Sequence, residues 1–427
     1  MNPQKFTFFI VSVFYANLLI GQSSDMNYIT QTDLLKAETN PANVPTLGDG
    51  NRIKTIQYFD GLGRGIQTNG YHNSPTLKDL VQITQYDDYG REDTAYLPFT
   101  ADANGSYRST GQDLALAFYA SPPDNTIPTD SYPYGVKAFD NSPQNKVMKQ
   151  GYPGLAWQLN NHPQQFHFLT NTSTLKVPLF IYDEGTQQFS TTCNYSGSTL
   201  LVSETLDEDG HQTFIYKDNY NRVVSQEKIS AGNKFKTFYI YDKYGNLAVV
   251  VQPEGTKLIN GSFTSTSDFI AKWCFTYKYD HRHRMVEKKI PGMNNPVLMI
   301  YDSLDRLILT QDGNLKLSSL HRNEWYYTKY DALGRPVLEG LYTNRQVSSR
   351  VQMQELCDEY FWDHGYFESR TNDNFKLQYG YTNNAFPPID SCKILKVYYY
   401  DNYDFDVDGT PDYVYQPCSG YTQSKYW

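Results

Sequence analysis

The segment Tyr330-Asp331-Ala332-Leu333-Gly334-Arg335 contains the local pattern around which this chain is built. An aspartate at the first position of a turn can accept hydrogen bonds from backbone N–H groups ahead of it. A glycine three residues later tolerates the positive φ that closes a short hairpin built on a type I turn. The segment therefore predicts the end of one strand, a tight turn and the start of a returning strand.

Related segments recur through most of the chain, and the closely spaced copies begin between 22 residues (279 to 301) and 38 residues (241 to 279) apart. Such a period is typical of repeat architectures. The residue three positions after Asp is Gly, Asn, His or Asp in every copy, and these residues tolerate positive φ best. The copies are Tyr58–Arg64, Tyr86–Arg91, Tyr216–Arg222, Tyr241–Asn246, Tyr279–Arg284, Tyr301–Arg306 and Tyr330–Arg335, with a weaker one beginning at Tyr400-Asp401.

The Tyr-Asp pairs and the Gly-Arg or Gly-Asn pairs of these copies resemble the YD repeat of the Rhs and teneurin-like family. The segment Gln57–Arg64 also resembles the start of an N-terminal domain of unknown function in secreted bacterial Rhs-repeat proteins. The resemblance covers roughly residues 45–427. It implies that the hairpins roll into a β-sheet shell, here open or partial, that encapsulates or presents another domain. We recognise no Rhs core segment and no variable C-terminal domain in the sequence; in larger relatives these parts carry self-cleavage and the toxin. We therefore expect either a truncated gene or fragment, or a short shell piece.

Composition agrees with an all-β fold. The 427 residues carry a formal net charge of −9, and 38 Tyr and 23 Phe supply much of the apolar content. Tyr favours strands with one packed face and one wet face, whereas the acidic charge argues against nucleic-acid binding. We therefore predict an all-β array of antiparallel hairpins with short helical insertions. The helices are expected within Asp113–Tyr119, Ser265–Cys274 and Ser348–Phe361.

Four segments follow from the sequence. Residues 1–21 are typical of a signal peptide, because Lys5 precedes the mostly apolar stretch Phe6–Ile20; an uncleaved anchor is the alternative. Residues 22–50 are a linker or lead-in strand, 51–188 a β-rich N-terminal module, and 189–427 the repeat array, truncated before any core or toxin domain. We expect an exported protein, secreted or at the cell surface, with no integral membrane span after signal cleavage.

The segment Asn104–Gln150 is rich in proline, with Pro122, Pro123, Pro128 and Pro133. Proline has no backbone N–H to donate and is confined to the edges of sheets. We expect no central strand in this segment.

The five cysteines are Cys193, Cys274, Cys357, Cys392 and Cys418. None has the Cys-x-x-Cys spacing of a zinc knuckle or a thioredoxin-type motif. Export would permit disulfides, and Cys392 with Cys418 is the pair to test first because the two bracket the last repeat. Buried free thiols are the alternative.

The candidate metal ligands are Asp404, Asp406, Asp408 and Asp412, which together with Gly409 have the spacing of the first part of a calcium loop. Tyr415 stands where such a loop needs a bidentate Glu. Calcium is therefore the one cofactor considered, and a solvated acidic turn is the alternative.

No catalytic or cofactor-binding residue is predicted. His281 and His283 lie inside a repeat turn, His162 and His167 lie in a Pro- and Gln-rich loop, and a Gly-x-Ser-x-Gly nucleophile elbow is missing. We expect a scaffold rather than an enzyme. Its partner would be an encapsulated C-terminal domain or a separate Rhs chain. The alternative function is a cell-surface carbohydrate-binding or adhesion module, since Tyr and Trp rings stack on sugars.

Overall fold

Antiparallel strands dominate the computed structural model of the chain. It describes residues 23, 25–36, 38, 40–172, 174–317, 323–347, 349–371, 379–400, 403–405 and 409–411. The predicted signal peptide, Cys418 and three of the four candidate calcium ligands lie outside these residues. No helix in the described ranges has the length and apolar character needed to cross a membrane.

The strands follow one another closely along the chain. From the N-terminus they are β1 (Asn27–Leu34), β2 (Arg52–Phe59), β3 (Gly65–Tyr71), β4 (Asp79–Tyr86), β5 (Glu92–Tyr96), β6 (Phe99–Ala101), β7 (Tyr134–Phe139), β8 (Val147–Gly151), β9 (Gln164–Thr170), β10 (Pro178–Asp183), β11 (Gln188–Asn194) and β12 (Leu201–Leu206). They continue with β13 (Gln212–Lys217), β14 (Val223–Ser230), β15 (Asn233–Tyr241), β16 (Leu247–Val251), β17 (Phe263–Thr264), β18 (Cys274–Tyr279), β19 (Met285–Lys289), β20 (Val297–Tyr301), β21 (Leu307–Gln311), β22 (Glu324–Tyr330), β23 (Pro336–Thr343) and β24 (Cys392–Val397).

Short helices interrupt this succession. The α-helices are α1 (Gly111–Ala120), α2 (Pro253–Thr256), α3 (Ser267–Trp273), α4 (Gly313–Leu317) and α5 (Arg350–Asp363). The three helices expected from the sequence are therefore present as α1, α3 and α5. Single 3₁₀ turns occur at Pro41–Thr46, Leu155–Trp157 and Ile389–Ser391.

The chain forms two compact units. The first contains the described residues up to 167 together with 204–212, and the second contains residues 168–203 and the described residues from 213 onward. In the first unit β1 pairs with β2, β2 with β3, and β3 with β4. Strand β4 pairs with both β5 and β6, and β5, β7, β8 and β9 continue the array. Every one of these pairs is antiparallel.

The core of the first unit lies between strand β4 and helix α1. Val81 and Ile83 point from β4 to the same side because alternate strand residues share a face. Ala115 and Tyr119 pack against them from α1, one helical turn apart. The Tyr119 hydroxyl also donates to the Pro98 carbonyl at 2.7 Å. One apolar cluster therefore holds the helix on the sheet.

The expectation for the proline-rich segment was wrong. It contains β7 and β8, and β7 is a central strand because it pairs with β5 on one side and with β8 on the other. The prolines at 122, 123, 128 and 133 all precede Tyr134, so the residues from Tyr134 to Phe139 keep every backbone donor. The high proline content of the whole segment was therefore misleading, because the residues of β7 contain no proline and can pair normally.

The second unit is an open, sequential array. Strands β14, β15, β16, β18, β19, β20, β21, β22, β23 and β24 pair with their neighbours in that order, all antiparallel. Strands β10, β11 and β17 form a separate three-stranded sheet. The prediction of an all-β array of antiparallel hairpins with short helical insertions is confirmed.

Helix α5 covers part of this array. Met353, Cys357 and Phe361 lie four residues apart on one face and are buried together with Trp325 and Tyr327 of β22. The helix begins after Ser349, whose hydroxyl accepts a hydrogen bond from the Gln352 N–H at 3.3 Å. The apolar face and the capping residue together explain why the sequence forms a helix here.

The repeated turns have the backbone that the sequence predicted. The residue three positions after Asp has a positive φ in all seven copies, including three non-glycine residues at Asn221 (61°), His283 (60°) and Asp305 (64°). The full set is Gly63, Gly90, Asn221, Gly245, His283, Asp305 and Gly334. Each of the two residues His283 and Asp305 thus owes its position first to backbone geometry.

Two copies differ from the alignment proposed above. In the copies at Asp60 and Asp218 the residue directly before Asp is Phe59 or Lys217, and the tyrosine lies one position earlier. Because strand residues alternate between faces, Tyr58 and Tyr216 point into the core and are fully buried. The matching tyrosine-before-aspartate position is occupied by Tyr in the copies at 86, 241, 279, 301 and 330.

Gly63 and Gly61 offer a matched test of the turn backbone. Gly63 has a φ of +79°, Gly61 does not have a left-handed backbone, and an added Cβ at either position meets no atom within 4 Å. Gly63→Ala should lower the stability of the first unit by about 1–2 kcal/mol, the usual cost of left-handed backbone with a Cβ. Gly61→Ala should cause no loss.

Urea unfolding followed by circular dichroism measures this, with the transition midpoint as the readout. Equal shifts of the midpoint for the two variants would mean that the positive φ at Gly63 does not restrict which residue this position tolerates.

Candidate functional site

One aspartate organises each repeated turn. In the turn after β22, Asp331 Oδ1 accepts hydrogen bonds from the N–H groups of Leu333 (2.9 Å) and Arg335 (2.8 Å). Asp331 Oδ2 accepts from Arg335 Nε at 2.7 Å. The backbone closes the same loop, since Asp331 N–H donates to the Arg335 carbonyl and Gly334 N–H to the Asp331 carbonyl. Each oxygen of the carboxylate therefore has a separate structural task.

The arginine then links each turn to the next hairpin. The Arg306 guanidinium lies over the Tyr330 ring, 4.9 Å from its centroid. The Tyr330 hydroxyl in turn donates to the carbonyl of Leu307, the residue after that arginine, at 2.8 Å. Six arginines stack in this way on the aromatic ring of the following hairpin. The pairs are Arg64–Tyr86, Arg91–Phe139, Arg222–Tyr241, Arg284–Tyr301, Arg306–Tyr330 and Arg335–Tyr400.

The pairing of the strands places successive turns on one edge of a sheet. Turns that follow each other along the array are two strands apart, which corresponds to roughly 10 Å. An arginine side chain spans that gap, so its guanidinium reaches the next tyrosine while still bound to its own aspartate. We call this Asp–Arg–Tyr connection the turn relay.

Hydrogen bonding stabilises the charged form of the aspartates. Burial acts against ionisation of Asp331, but the Arg335 backbone N–H, the Arg335 side chain and the Leu333 N–H outweigh it and lower the pKa of Asp331. The pKa is lowered in the same sense at Asp60, Asp87 and Asp280. These four turn carboxylates are therefore ionised structural groups.

Two aspartate turns depart from the relay. At Asp207 the residue four positions later is His211, whose Nδ1 lies 3.0 Å from Asp207 Oδ2, and at Asp242 it is Asn246. Asn246 stands where the six turns above have Arg, and the residue with positive φ in the next turn is His283. The Asn246 Nδ2 donates to Asp242 Oδ2 at 2.9 Å, and Asn246 Oδ1 lies 3.0 Å from His283 Nδ1. A pocket of about 470 Å³ opens beside these residues. We call it the Asn246 pocket.

The turn tips present apolar side chains to solvent. The residue two positions after Asp is an exposed Leu or Tyr in six of the seven turns, for example 83% exposed at Tyr89 and 78% at Leu333. Its backbone N–H is held by the aspartate, so its side chain points away from the turn. The residues are Leu62, Tyr89, Tyr220, Tyr244, Leu304 and Leu333.

A buried ion pair holds the segment after α5. Lys329 Nζ on β22 donates to Glu368 Oε1 at 2.8 Å and to Asn383 Oδ1 at 3.2 Å. The side chains of Lys329 and Glu368 are fully buried. Glu368 also accepts the N–H groups of Asn384 and Ala385 at 3.0 Å. Because the carboxylate is saturated with donors, we interpret this pair as an anchor rather than as a reactive group.

Asp404 is the one predicted calcium ligand within the described residues. Asp404 Oδ2 accepts a hydrogen bond from the Gly409 N–H at 3.0 Å, which is again an aspartate turn. Asp406, Asp408 and Asp412 lie outside the described ranges, so calcium binding stays a prediction. In the part of the chain that the structure describes, no group of three or more His, Cys, Asp or Glu side chains could hold a metal ion.

The histidines considered in the sequence have local partners. His162 Nδ1 lies 3.0 Å from the Ala156 carbonyl. His167 lies in strand β9 and not in the expected loop, and its Nδ1 lies 3.2 Å from Glu204 Oε2. His281 and His283 both line the Asn246 pocket. His162 and His167 thus have separate local partners, whereas His281 and His283 lie together at one pocket.

The cysteines in the described ranges are free thiols at Cys193, Cys274, Cys357 and Cys392. Burial raises the pKa of the Cys274 thiol to about 12 and has the same effect on Cys392. Thiols of this kind are poor nucleophiles at neutral pH. The proposed pairing of Cys392 with Cys418 involves a residue outside the described ranges.

Sequence reasoning missed one further turn and the whole relay. Phe139-Asp140 begins a longer turn in which Asp140 Oδ1 accepts the Lys146 N–H at 3.0 Å and Asn145 has a φ of 50°. The signal was Phe-Asp followed by Asn, but five positions separate Asp140 from Asn145 instead of three. The relay had no sequence signal beyond the recurrence of Arg, because its partner lies in another hairpin.

The charge of Asp331 should matter for stability. Asp331→Asn keeps the shape but replaces one acceptor oxygen by a donor, so the free energy of unfolding should fall by about 1–2 kcal/mol at pH 7. Since folding lowers the pKa of Asp331, its contribution is present above the unfolded pKa of about 3.9 and is lost as the pH falls through the folded value. The deficit should therefore shrink below pH 4.

Urea titrations at several pH values test this, with the exposed Asp88→Asn as the control. A deficit that stays constant down to pH 2 would show that the carboxylate charge is irrelevant.

Comparison with known proteins gives one family match and several distant structural similarities. Residues 30–170 match the family model of DUF6443, a domain of unknown function. No curated protein matches the chain. The similar solved structures include TcdB2-TccC3-TEV (14% identity) and TcdB2-TccC3 without its hypervariable C-terminal region (13% identity), each with a TM-score of 0.42 over 74% of this chain and 13% of that chain.

A Tc holotoxin pore of Photorhabdus luminescens gives the same TM-score of 0.42 at 13% identity and the same coverage. This chain therefore spans 13% of the length of these structures. The DUF6443 match runs from within β1 to the end of β9.

Proposed function

We propose that this chain is an exported, non-catalytic scaffold segment of an Rhs-type protein, in which the hairpin array forms part of a β-sheet shell. The observation that carries the proposal is the turn relay. The same contacts occur in hairpins of both units, so the chain repeats one structural element rather than building one site. Repetition of a self-supporting hairpin suits a wall of variable length.

The use of the polar groups supports a structural role. The turn aspartates bind backbone N–H groups and arginines, the arginines bind tyrosines, and the buried Lys329 binds Glu368. These charged side chains are committed to internal contacts. The partner we propose is a C-terminal domain enclosed by the shell or a separate Rhs chain that completes it.

A second candidate function is carbohydrate binding at the turn tips. The observation that favours it is the exposure of three aromatic tip residues, Tyr89, Tyr220 and Tyr244. Aromatic rings offer flat apolar faces with little entropy to lose. However, a cation already lies over each of these rings. Arg91 and Arg222 lie 5.0 Å from the centres of Tyr89 and Tyr220, and Lys243 Nζ lies 4.8 Å from that of Tyr244. The scaffold role accounts for more of the structure.

Export and enclosure can be tested with one fusion protein. Alkaline phosphatase, which folds only outside the bacterial cytoplasm, is fused to the C-terminus of the full chain. We expect phosphatase activity in intact cells, and its loss on Phe14→Arg, which places a charge in the apolar core of the predicted signal peptide. Activity that survives this substitution would contradict signal-dependent export.

The same fusion tests the scaffold role. A shell segment should slow digestion of the attached phosphatase by added protease, relative to phosphatase alone, and Arg306→Ala should reduce that protection because it breaks a relay. Equal digestion of the fused and free reporter would contradict enclosure. Retention on a glycan array that is lost on Tyr220→Ala would favour the alternative instead.

A further inference from the structure

The Asn246 pocket lies where the relay is interrupted. Asp242 is positioned as in the other turns, since its Oδ1 accepts the N–H groups of Tyr244 (2.9 Å) and Asn246 (2.8 Å). Tyr279 is also in its regular place, because its hydroxyl donates to the Leu247 carbonyl at 3.1 Å. The aspartate and the tyrosine of the relay are therefore both in place. The side chain between them, Asn246, is too short to connect them as an arginine would.

A neighbouring turn shows what normally fills this space. Arg222 Nε lies 2.8 Å from Asp218 Oδ2, and its second nitrogen lies 2.6 Å from the same oxygen. The Arg222 guanidinium also lies 5.0 Å from the Tyr220 ring centre and 4.8 Å from that of Tyr241. A guanidinium is thus held by one carboxylate and two aromatic rings.

The Asn246 pocket contains the equivalents of all three groups. Asp242, Tyr244 and Tyr279 line it, and Tyr182 and Tyr277 add two further rings. Within the described residues, no Lys or Arg lies over Tyr279 or pairs with the Asp242 carboxylate. Tyr244 does have neighbours, since Lys243 Nζ lies 4.8 Å from its ring centre and the His283 ring lies edge-on to it at 6.1 Å. No guanidinium of the described residues bridges Asp242 and Tyr279 here.

The local charge favours a cationic ligand. The other carboxylates at the pocket pair with cations, since Glu184 pairs with Lys243 at 2.9 Å and Asp280 with Arg284 at 2.7 Å. Lys278, the one lysine among the described residues that line the pocket, pairs with Glu287 at 3.1 Å. Burial, the Tyr277 ring and the Asp242 charge together raise the pKa of Tyr279. At Tyr241, by contrast, the charge of Arg222 acts in the opposite direction.

We propose that the Asn246 pocket binds the guanidinium group of an arginine side chain from a polypeptide partner, stacked between Tyr244 and Tyr279 with Asp242 as its counter-ion. Arginine is favoured over lysine because the relay sites bind a planar fork and stack it on rings, which a compact ammonium does not reproduce. The inference goes beyond the scaffold role and does not depend on it.

His283 adapts the pocket to the missing arginine. In regular turns the left-handed residue of the next turn lies beside the arginine; a Cβ on Gly90 would meet Arg64 Nη1 at 2.7 Å, and Asp305 Oδ1 pairs with Arg284 Nη1 at 2.8 Å. His283 instead contacts Asn246 and keeps its amide on Asp242. Asn246 thus takes the place of the arginine, and His283 takes the place of the small or acidic residue beside it.

The test uses ligand-observed saturation-transfer NMR with the full chain. The probe is the tripeptide Gly-Arg-Gly blocked at both ends, and the comparison probe is blocked Gly-Lys-Gly. We expect saturable binding of the arginine peptide in the millimolar range and binding of the lysine peptide weaker by about tenfold or more. No saturable binding, or equal binding of the two peptides, would overturn the proposal.

Two variants assign the binding to this pocket. Asn246→Arg combined with His283→Gly rebuilds a regular turn and should abolish binding while the urea midpoint stays at least as high as that of the unchanged protein. Arg222→Asn should create a second pocket and increase the number of bound peptides. Undiminished binding of the arginine peptide to the double variant would overturn the assignment to this pocket. Binding of free arginine, with no binding of the blocked peptide, would overturn the proposal of a polypeptide partner.

Discussion

The aspartate carboxylate of each turn is the constraint on which the rest of the structure depends. One oxygen gathers two backbone N–H groups and thereby sets the turn, and the other holds an arginine in place. The arginine then stacks on the tyrosine of the next hairpin. That tyrosine's hydroxyl donates a hydrogen bond to the carbonyl of the residue that follows the arginine. Each hairpin is consequently fixed by groups of its own and by groups of its successor, and stability is built up between nearest neighbours.

Features set by local backbone sterics could be predicted from the sequence. The positive φ at His283 and Asp305 follows from the spacing after Asp, and the helices near Tyr119, Trp273 and Phe361 follow from apolar spacing. Contacts between hairpins could not be predicted, because nothing local relates Arg306 to Tyr330. The central strand β7 was missed for a different reason: the prolines that argued against it precede it in sequence.

Departures from the repeat locate the candidate site better than any motif did. Asn246 looked like one more Gly-Asn variant of the repeat, and His283 like a tolerated turn residue. Only the geometry of the other turns shows that the two residues together leave a position for a guanidinium. The same comparison explains Lys329, which lies on a repeat strand but anchors an insertion through Glu368. Where the relay is complete, an arginine of the chain itself occupies the position between the hairpins. At Asn246, where it is interrupted, we propose that a partner's arginine takes that position.

The coupling between Arg64 and Tyr86 tests the central claim most directly. The guanidinium lies 4.6 Å from the ring centre and the Tyr86 hydroxyl donates to the Gly65 carbonyl at 2.9 Å. A double-mutant cycle with Arg64→Met and Tyr86→Leu, read by urea unfolding, should give a coupling free energy of about 0.5–1 kcal/mol. Arg64→Met with the distant Tyr119→Phe should give none. A coupling for Arg64 and Tyr86 indistinguishable from that control would contradict the relay as the link between hairpins.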